Sequence, residues 1–330
     1  MITNPIPWPN GARCACAITF DVDADSLIHI ARPKDSFDRL YPITMGRYGP
    51  TVGVPRILET YRRLGLKQSF FMPAWTMQRY PDAVEAILEA GHEIGHHGYI
   101  HEDPTEISSA QQREAFERAL AIHVAMTGRK PRGYRAPVYN ANQSTIDLLI
   151  EHGFVYDSSL MADDIPYQMR TTRGSLYEMP PHWGSDDWPP FAHYAEIGYM
   201  MPVKSPSDGL AASFEEFEAA YEAGGFWMGI SAPVPDRPAR PLARGRALAR
   251  AGRRRPQGVV RIARGDRRAS RRPGQGRHLP GPCRDPALLH AARVMTCRGA
   301  ARNAAASPRS QSMNAVTDLR RAAPGASTRR

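Results

Sequence analysis

The last 99 residues of this chain contain no aromatic side chain. From Ala232 to Arg330 there is also no Lys and no Glu, and only four acids, Asp236, Asp266, Asp285 and Asp318, stand against 24 Arg. A stretch so poor in large apolar side chains cannot supply a packed core, so residues 232–330 are expected to be a disordered, low-complexity Arg/Ala/Pro-rich tail. Cysteine is scarce as well. Cys14 and Cys16 flank one residue of an apolar run, and Cys283 and Cys297 lie in the tail, a distribution that excludes a disulfide framework. Two readings of Cys14 and Cys16 stay open, a Cys-x-Cys metal site and a pair of buried small hydrophobes, and the apolar neighbours favour the second. No apolar run is long enough to span a membrane, and the N-terminus has no basic flank followed by an apolar core. Neither signal peptide nor membrane span is therefore expected, and the expected compartment is the cytoplasm.

A net charge of +10 taken alone points to nucleic acid or an anionic surface as partner. The average hides two opposites. Residues 1–231 keep 19 basic against 29 acidic side chains, and they hold all five Trp and every Phe and Tyr. The part able to build a core is acidic, and 231 residues are ample for one domain. Residues 1–231 are accordingly read as the folded domain and 232–330 as the tail.

Within 1–231, short apolar runs alternate with amphipathic segments. Ala15 to Phe20 reads as a buried strand that ends in Asp21-Val22-Asp23. Residues 24–50 show no periodicity and read as a long loop. Helices are expected over 54–64, 81–90, 105–126, 143–152 and 214–223, the first four stopped by Gly65, Gly91, Gly128 and Gly153. Strands are expected over 68–72, 93–97, 133–136, 154–157, 176–179 and 226–230. Such alternation favours a parallel α/β architecture, a barrel or a doubly wound sheet. The barrel is preferred because polar residues cluster at the C-terminal ends of several strands, where barrel active sites are built.

Gly95-His96-His97-Gly98-Tyr99-Ile100-His101 carries the chemistry. His97 and His101 are four apart and can reach one ion from a helical turn or a tight loop, and the glycines permit turns that an ordinary helix does not need. Asp21 and Asp23, two apart at a strand end, can share one site. Two imidazoles and one carboxylate leave a divalent ion with open positions, the catalytic rather than the structural pattern of zinc. The bland readings are a surface histidine pair and an acidic loop cap.

Thr19-Phe20-Asp21-Val22-Asp23, the glycine- and histidine-rich run from Gly91 to His101, and Gly133-Tyr134-Arg135-Ala136-Pro137 together resemble the polysaccharide deacetylases with NodB homology. The resemblance covers about residues 12–231. Phe154 to Leu160 and the Asp186-Asp187-Trp188-Pro189-Pro190 segment are most similar to a cytosolic branch of that family, which suggests a homo-oligomer. The resemblance implies a distorted (β/α) barrel, a divalent metal, usually Zn2+, and hydrolysis of an N-acetyl or related amide. By motif position Asp21 is the general base, Asp23 joins His97 and His101 as metal ligand, and Arg135 orients the base. An ordinary salt bridge is the plain alternative for Arg135. His92 and His96 are expected to pack or to bond the backbone, and His182 and Trp183 either line the pocket or lie on an exposed loop. Relatives carry Tyr directly after the motif's proline, whereas here Val138 follows Pro137 and Tyr139 comes next, which leaves the oxyanion donor unassigned.

Relatives also end with a strand bearing His-Pro, whose histidine protonates the leaving amine, and then an aromatic-rich strand. Neither is present. A shifted reading frame accounts for this: dropping one base from a permitted codon choice for Ser231 to Arg240 yields W-H-P-F-L-T-G-R-L. Gly258 to Ala269 permits A-W-F-A-S-L-E-E-I-A-A when read one base later. The rival, a genuine arginine-rich arm binding RNA or DNA, lacks stacking aromatics and any recognised module. The expected partner is thus a small-molecule or glycan amide, with neither membrane nor nucleic acid, and a small cyclic amide or allantoin-like ureide is the alternative substrate. A barrel without its last strand is expected to be weakly active and poorly stable, with an exposed edge that invites aggregation.

Overall fold

Residues Cys14–Asp21 form the central strand, β1, of the computed structural model, which describes residues 2–233, 259–263 and 293–296. The described residues fall within the compact unit Met1–Cys297. After β1 come α1 (Ser26–Ala31), α2 (Leu40–Tyr48), α3 (Val54–Leu64), β2 (Ser69–Met72), α4 (Ala74–Arg79), α5 (Pro81–Glu89), β3 (Glu93–His96) and α6 (Ser109–Thr127). The chain continues through β4 (Gly133–Tyr134), α7 (Gln143–Glu151), β5 (Tyr156–Asp157), β6 (Tyr167–Thr171), β7 (Gly174–Glu178), α8 (Trp188–Phe191), α9 (Pro206–Ala223) and β8 (Phe226–Ser231).

Parallel pairing runs β8-β1-β2-β3-β4-β5-β7, and β6 closes the row antiparallel to β7. The sheet curls into a distorted (β/α) barrel that is incomplete between β6 and β8. Across that seam Asp186 bridges Ile230, and the Phe226 N–H donates to the Asp164 carbonyl at 3.2 Å. Two layers of core follow from strand alternation. Cys14, Cys16, Ile18 and Phe20 face outward into a cluster with Ile57, Tyr61, Phe70, Ile87 and Trp227. Ala15 and Ala17 face inward with Phe226, Met228 and Ile230. Phe70 is fully buried and its ring stacks on Phe20 at 5.1 Å. Phe70→Ala is expected to lower the unfolding free energy by about 3–5 kcal/mol, read from urea denaturation.

Some expectations need correction. Residues 24–50 are not one loop but carry α1 and α2, whose six and nine residues are too short for an apolar period to show. Their Leu27, Ile28 and Ile43 pack with Tyr194. The long helix starts at Ser109 rather than 105, because Ser108 and Gln111 form a capping box. Thr105 is instead held in a turn by the Asp103 carboxylate. Strand β6 and helix α4 were not legible, and the hairpin through Gly174 makes the sheet mixed.

Within the segment expected to be disordered, β9 (Val259–Ala263) pairs in parallel with Cys14–Cys16, and β10 (Arg293–Thr296) pairs antiparallel to β9. Ala15 and Cys16 pair with β8 on one edge, so β9 occupies the other, below β2. Val259, Val260 and Ile262 suit a strand. The remainder of 234–330, with Cys283 and Cys297, lies outside the described residues.

Candidate active site and metal centre

The alternation that turns Ala15 and Ala17 inward also turns Thr19 and Asp21 inward, at the C-terminal end of β1. Cys14 and Cys16 belong to the outer apolar layer, which settles them as buried hydrophobes. In β3 the outward residues are Ile94 and His96, so Gly95 and then His97 face the interior. Glycine is required at 95, since a Cβ there would lie 2.6 Å from the Phe71 ring. Beyond His97 the chain turns back through Gly98 (φ 72°) and His101 (φ 68°), while the Glu102 carboxylate accepts from the Tyr99 and Ile100 N–H groups at 2.8 and 2.7 Å. The histidine pair thus comes from a tight loop, not from a helix.

That loop closes on Asp23. His97 Nε2 lies 3.3 Å from Asp23 Oδ1, and His101 Nε2 lies 3.7 Å from Asp23 Oδ2. One ligand atom from each of the three lies within 4.8 Å of the others. His97 Nδ1 donates to the Arg135 carbonyl at 2.7 Å, which leaves Nε2 with its lone pair towards Asp23. Asp23 Oδ1 is buried with no hydrogen-bond partner. Lone pairs facing one another in a buried site need a cation between them, either a proton or a metal ion, and the donor set fits a divalent metal. In the metal-free state burial pushes Asp23 up, but His101, His97 and Arg135 outweigh it and hold its carboxyl below the usual range. Burial likewise lowers His97, yet Asp23 leaves it raised, whereas burial prevails at His101 and lowers it. His97 is the nitrogen that a metal ion would relieve of a proton.

Arg135 is fully buried beside this group. Its Nη1 donates to Asp21 Oδ1 at 2.6 Å and to Thr19 Oγ1 at 2.9 Å, its Nε to the Ser158 carbonyl and its Nη2 to Ser158 Oγ. The guanidinium lies 4.3 Å from the Phe71 ring centroid and 2.9 Å from the Met228 sulfur. Arg135 therefore fixes Asp21 as an oriented carboxylate next to, but separate from, the Asp23 group.

Sequence reasoning missed the couple on the opposite wall. Tyr139, with Val138 one of two successive residues at positive φ, donates its hydroxyl to Asp186 Oδ2 at 2.5 Å, and the Trp188 N–H donates to Asp186 Oδ1. Trp183 is half exposed and meets Tyr139 edge-on at 4.9 Å, so it borders the site. Burial pushes Asp186 up to about 7, only partly offset by the Tyr139 hydroxyl. The folded chain keeps a proton on Asp186 that the unfolded chain releases near 3.8, so this residue makes stability fall as pH rises from about 4 to about 7. Asp186→Asn is expected to remove that fall, which thermal unfolding across the interval measures.

The three other histidines singled out in the sequence have structural partners. His92 Nδ1 accepts from the Gln68 N–H, His96 Nε2 bonds the Phe116 carbonyl, and exposed His182 caps Gly184 and lies 3.9 Å from Glu216. A second metal-sized group, Glu117, Glu151 and His152, lies on the surface with both carboxylates paired to Arg113.

Comparison with known proteins bears on the family and the fold. A family model described as Polysaccharide deacetylase matches residues 37–156, a span that contains His97, His101 and Arg135. The Helicobacter pylori peptidoglycan deacetylase is 28% identical over 248 residues, covering 68% of this chain and 85% of that protein. A crystal structure from Mycobacterium smegmatis, assigned to the polysaccharide deacetylases, is 35% identical with a TM-score of 0.72, covering 76% of this chain and 88% of its own. An allantoinase structure shares the fold at 24% identity and a TM-score of 0.63, with 77% and 88% covered. At 35% identity to a structure of which it covers 88%, this chain belongs to the polysaccharide deacetylase family, whose enzymes hydrolyse amide bonds other than peptide bonds.

Proposed function

We propose that the chain is a metal-dependent N-deacetylase of amino-sugar glycans, with Asp23, His97 and His101 as ligands of a divalent ion, Zn2+ in the first instance. The observation that carries the reading is the convergence of two imidazole nitrogens on the Asp23 carboxylate, whose buried Oδ1 has no hydrogen-bond partner, beside a second carboxylate held by Arg135. A bound divalent ion supplies Lewis acidity towards the amide carbonyl and the attacking water. The chain's own residues supply the rest. Asp21 accepts the proton of the water. Arg135, with donors to Asp21 Oδ1 and Thr19, keeps that carboxylate aimed, while Phe71 and Met228 exclude solvent behind it. The cytoplasmic compartment expected from the sequence belongs to this reading. Turnover of a panel of N-acetylated amino sugars and chitooligosaccharides against cyclic imides and ureides tests the substrate class. Acetate release from the sugars alone supports the proposal, and hydrolysis of only the cyclic amides overturns it.

We further propose that residues after Ser231 are read out of frame. The Asp187 carboxylate accepts from the Ala232 N–H at 2.9 Å, and position 232 is where the shifted frame places the histidine of His-Pro. Strand β9 likewise falls where the shifted frame reads an aromatic strand. The nucleic-acid alternative gains no support from these positions. Sequencing of the genomic locus together with the mass of the expressed protein decides the matter, and an intact frame contradicts it.

A further inference from the structure

Asp157 and Glu178 are cross-strand partners in β5 and β7, both fully buried, and neither serves the chemistry proposed above. Their carboxyls lie within hydrogen-bond reach of each other. The remaining oxygens are engaged by one turn. Asp157 Oδ1 accepts from Ser159 Oγ at 2.7 Å, and Glu178 Oε1 accepts from the Ser159 and Leu160 N–H groups at 2.9 and 3.1 Å. Asp157 Oδ2 and Glu178 Oε2 have no other partner. Two facing carboxylates in a buried site cannot both carry charge, so a proton between these oxygens is the arrangement that satisfies both.

Ser159 carries the connection onward. Its Oγ accepts the Ala136 N–H at 2.9 Å, and the carbonyl of that same peptide unit, Arg135 C=O, accepts the His97 Nδ1 proton at 2.7 Å. One continuous chain of hydrogen bonds therefore runs from Glu178 through Asp157, Ser159 and the 135–136 peptide to His97. We infer that Asp157 and Glu178 share a single proton and that this buried acid pair is a positioning element for His97, fixing its tautomer and strengthening its Nε2 as a metal donor through Ser159 and the 135–136 peptide. Each bond polarises the next, as when a carboxylate stands directly behind a metal-binding histidine. Burial and the neighbouring Asp157 hold Glu178 well above the usual carboxylate range, in agreement with the shared proton. The other titratable groups facing the pair are Arg135, Tyr134 and Tyr167.

The inference rests on the metal site proposed above, and calorimetric titration of the full chain with Zn2+ separates the two. Ser159→Ala and Glu178→Ala are expected to weaken Zn2+ binding by about 10-fold or more. Glu178→Gln is expected to stay within about two-fold of the parent, because its amide donates where the shared proton stood. Equal affinity in all four proteins overturns the acid pair's role, whereas a parent chain that binds no Zn2+ overturns the metal site itself. Infrared spectroscopy of the parent serves if the alanine variants do not fold. A protonated carboxyl band must persist above the titration of Asp186 and vanish in Glu178→Gln, and its absence in the parent contradicts the shared proton.

Discussion

Replacing Ala232 with histidine is expected to raise turnover of an N-acetylated amino sugar by about 10²-fold, the lower end of what a positioned general acid contributes. Phe226, Met228 and Ile230 face the barrel interior, and alternation carries that face to position 232. Strand β8 runs parallel to β1 with Ser231 opposite Phe20, so position 232 stands level with Asp21. Met228, two steps earlier on the same face, already touches Arg135. Pro233 follows, so a single substitution rebuilds the His-Pro pair whose histidine, in the family this chain belongs to, protonates the departing amine. Asp187, which holds the backbone N–H of 232, stands beside the new side chain. The gain should appear in kcat and follow the ionisation of one imidazole. Ala232→Gln should give no gain, and equal rates for Ala232→His and the parent would remove the proposed role of that position.

Asp21→Asn is expected to cost about 10²- to 10⁴-fold in rate while metal binding survives. Its side chain accepts from Arg135 at 2.6 Å and is not part of the Asp23 group. The substitution also leaves a fully buried guanidinium without its counter-charge, and breaking such a pair costs about 3–5 kcal/mol of stability. Asp23→Asn should do the reverse, losing the metal while Arg135 and Asp21 stay paired. Rates and metal stoichiometry measured on both variants separate base from ligand. Loss of metal in Asp21→Asn would show that the roles have been assigned to the wrong carboxylates.

How much of this was legible in the sequence depended on how local the information was. The His-x-x-x-His spacing and its glycines announced that the two imidazoles lie close together, because Gly95 and Gly98 serve the close approach to Phe71 and the left-handed turn. Arg135 and Asp21 were recoverable because each sits in a short ordered motif. The Tyr139–Asp186 bond joins residues 47 apart, and the wire from Glu178 to His97 crosses four strands' ends, so only the fold brings those groups together. Tyr-Asp-Ser-Ser marks a strand end and a family resemblance, but shows no partner for Asp157 until β7 sets Glu178 opposite it. Helices α1 and α2 escaped for a different reason, since one or two turns of helix bury too few side chains to print a period.

The central claim is that one divalent ion is held by Asp23, His97 and His101. Calorimetric titration of the metal-stripped full chain with Zn2+ tests it most directly, run beside His97→Ala. The account predicts a single site per chain in the parent and none in the variant. Binding that is absent from the parent, or that persists unchanged in His97→Ala, would contradict it.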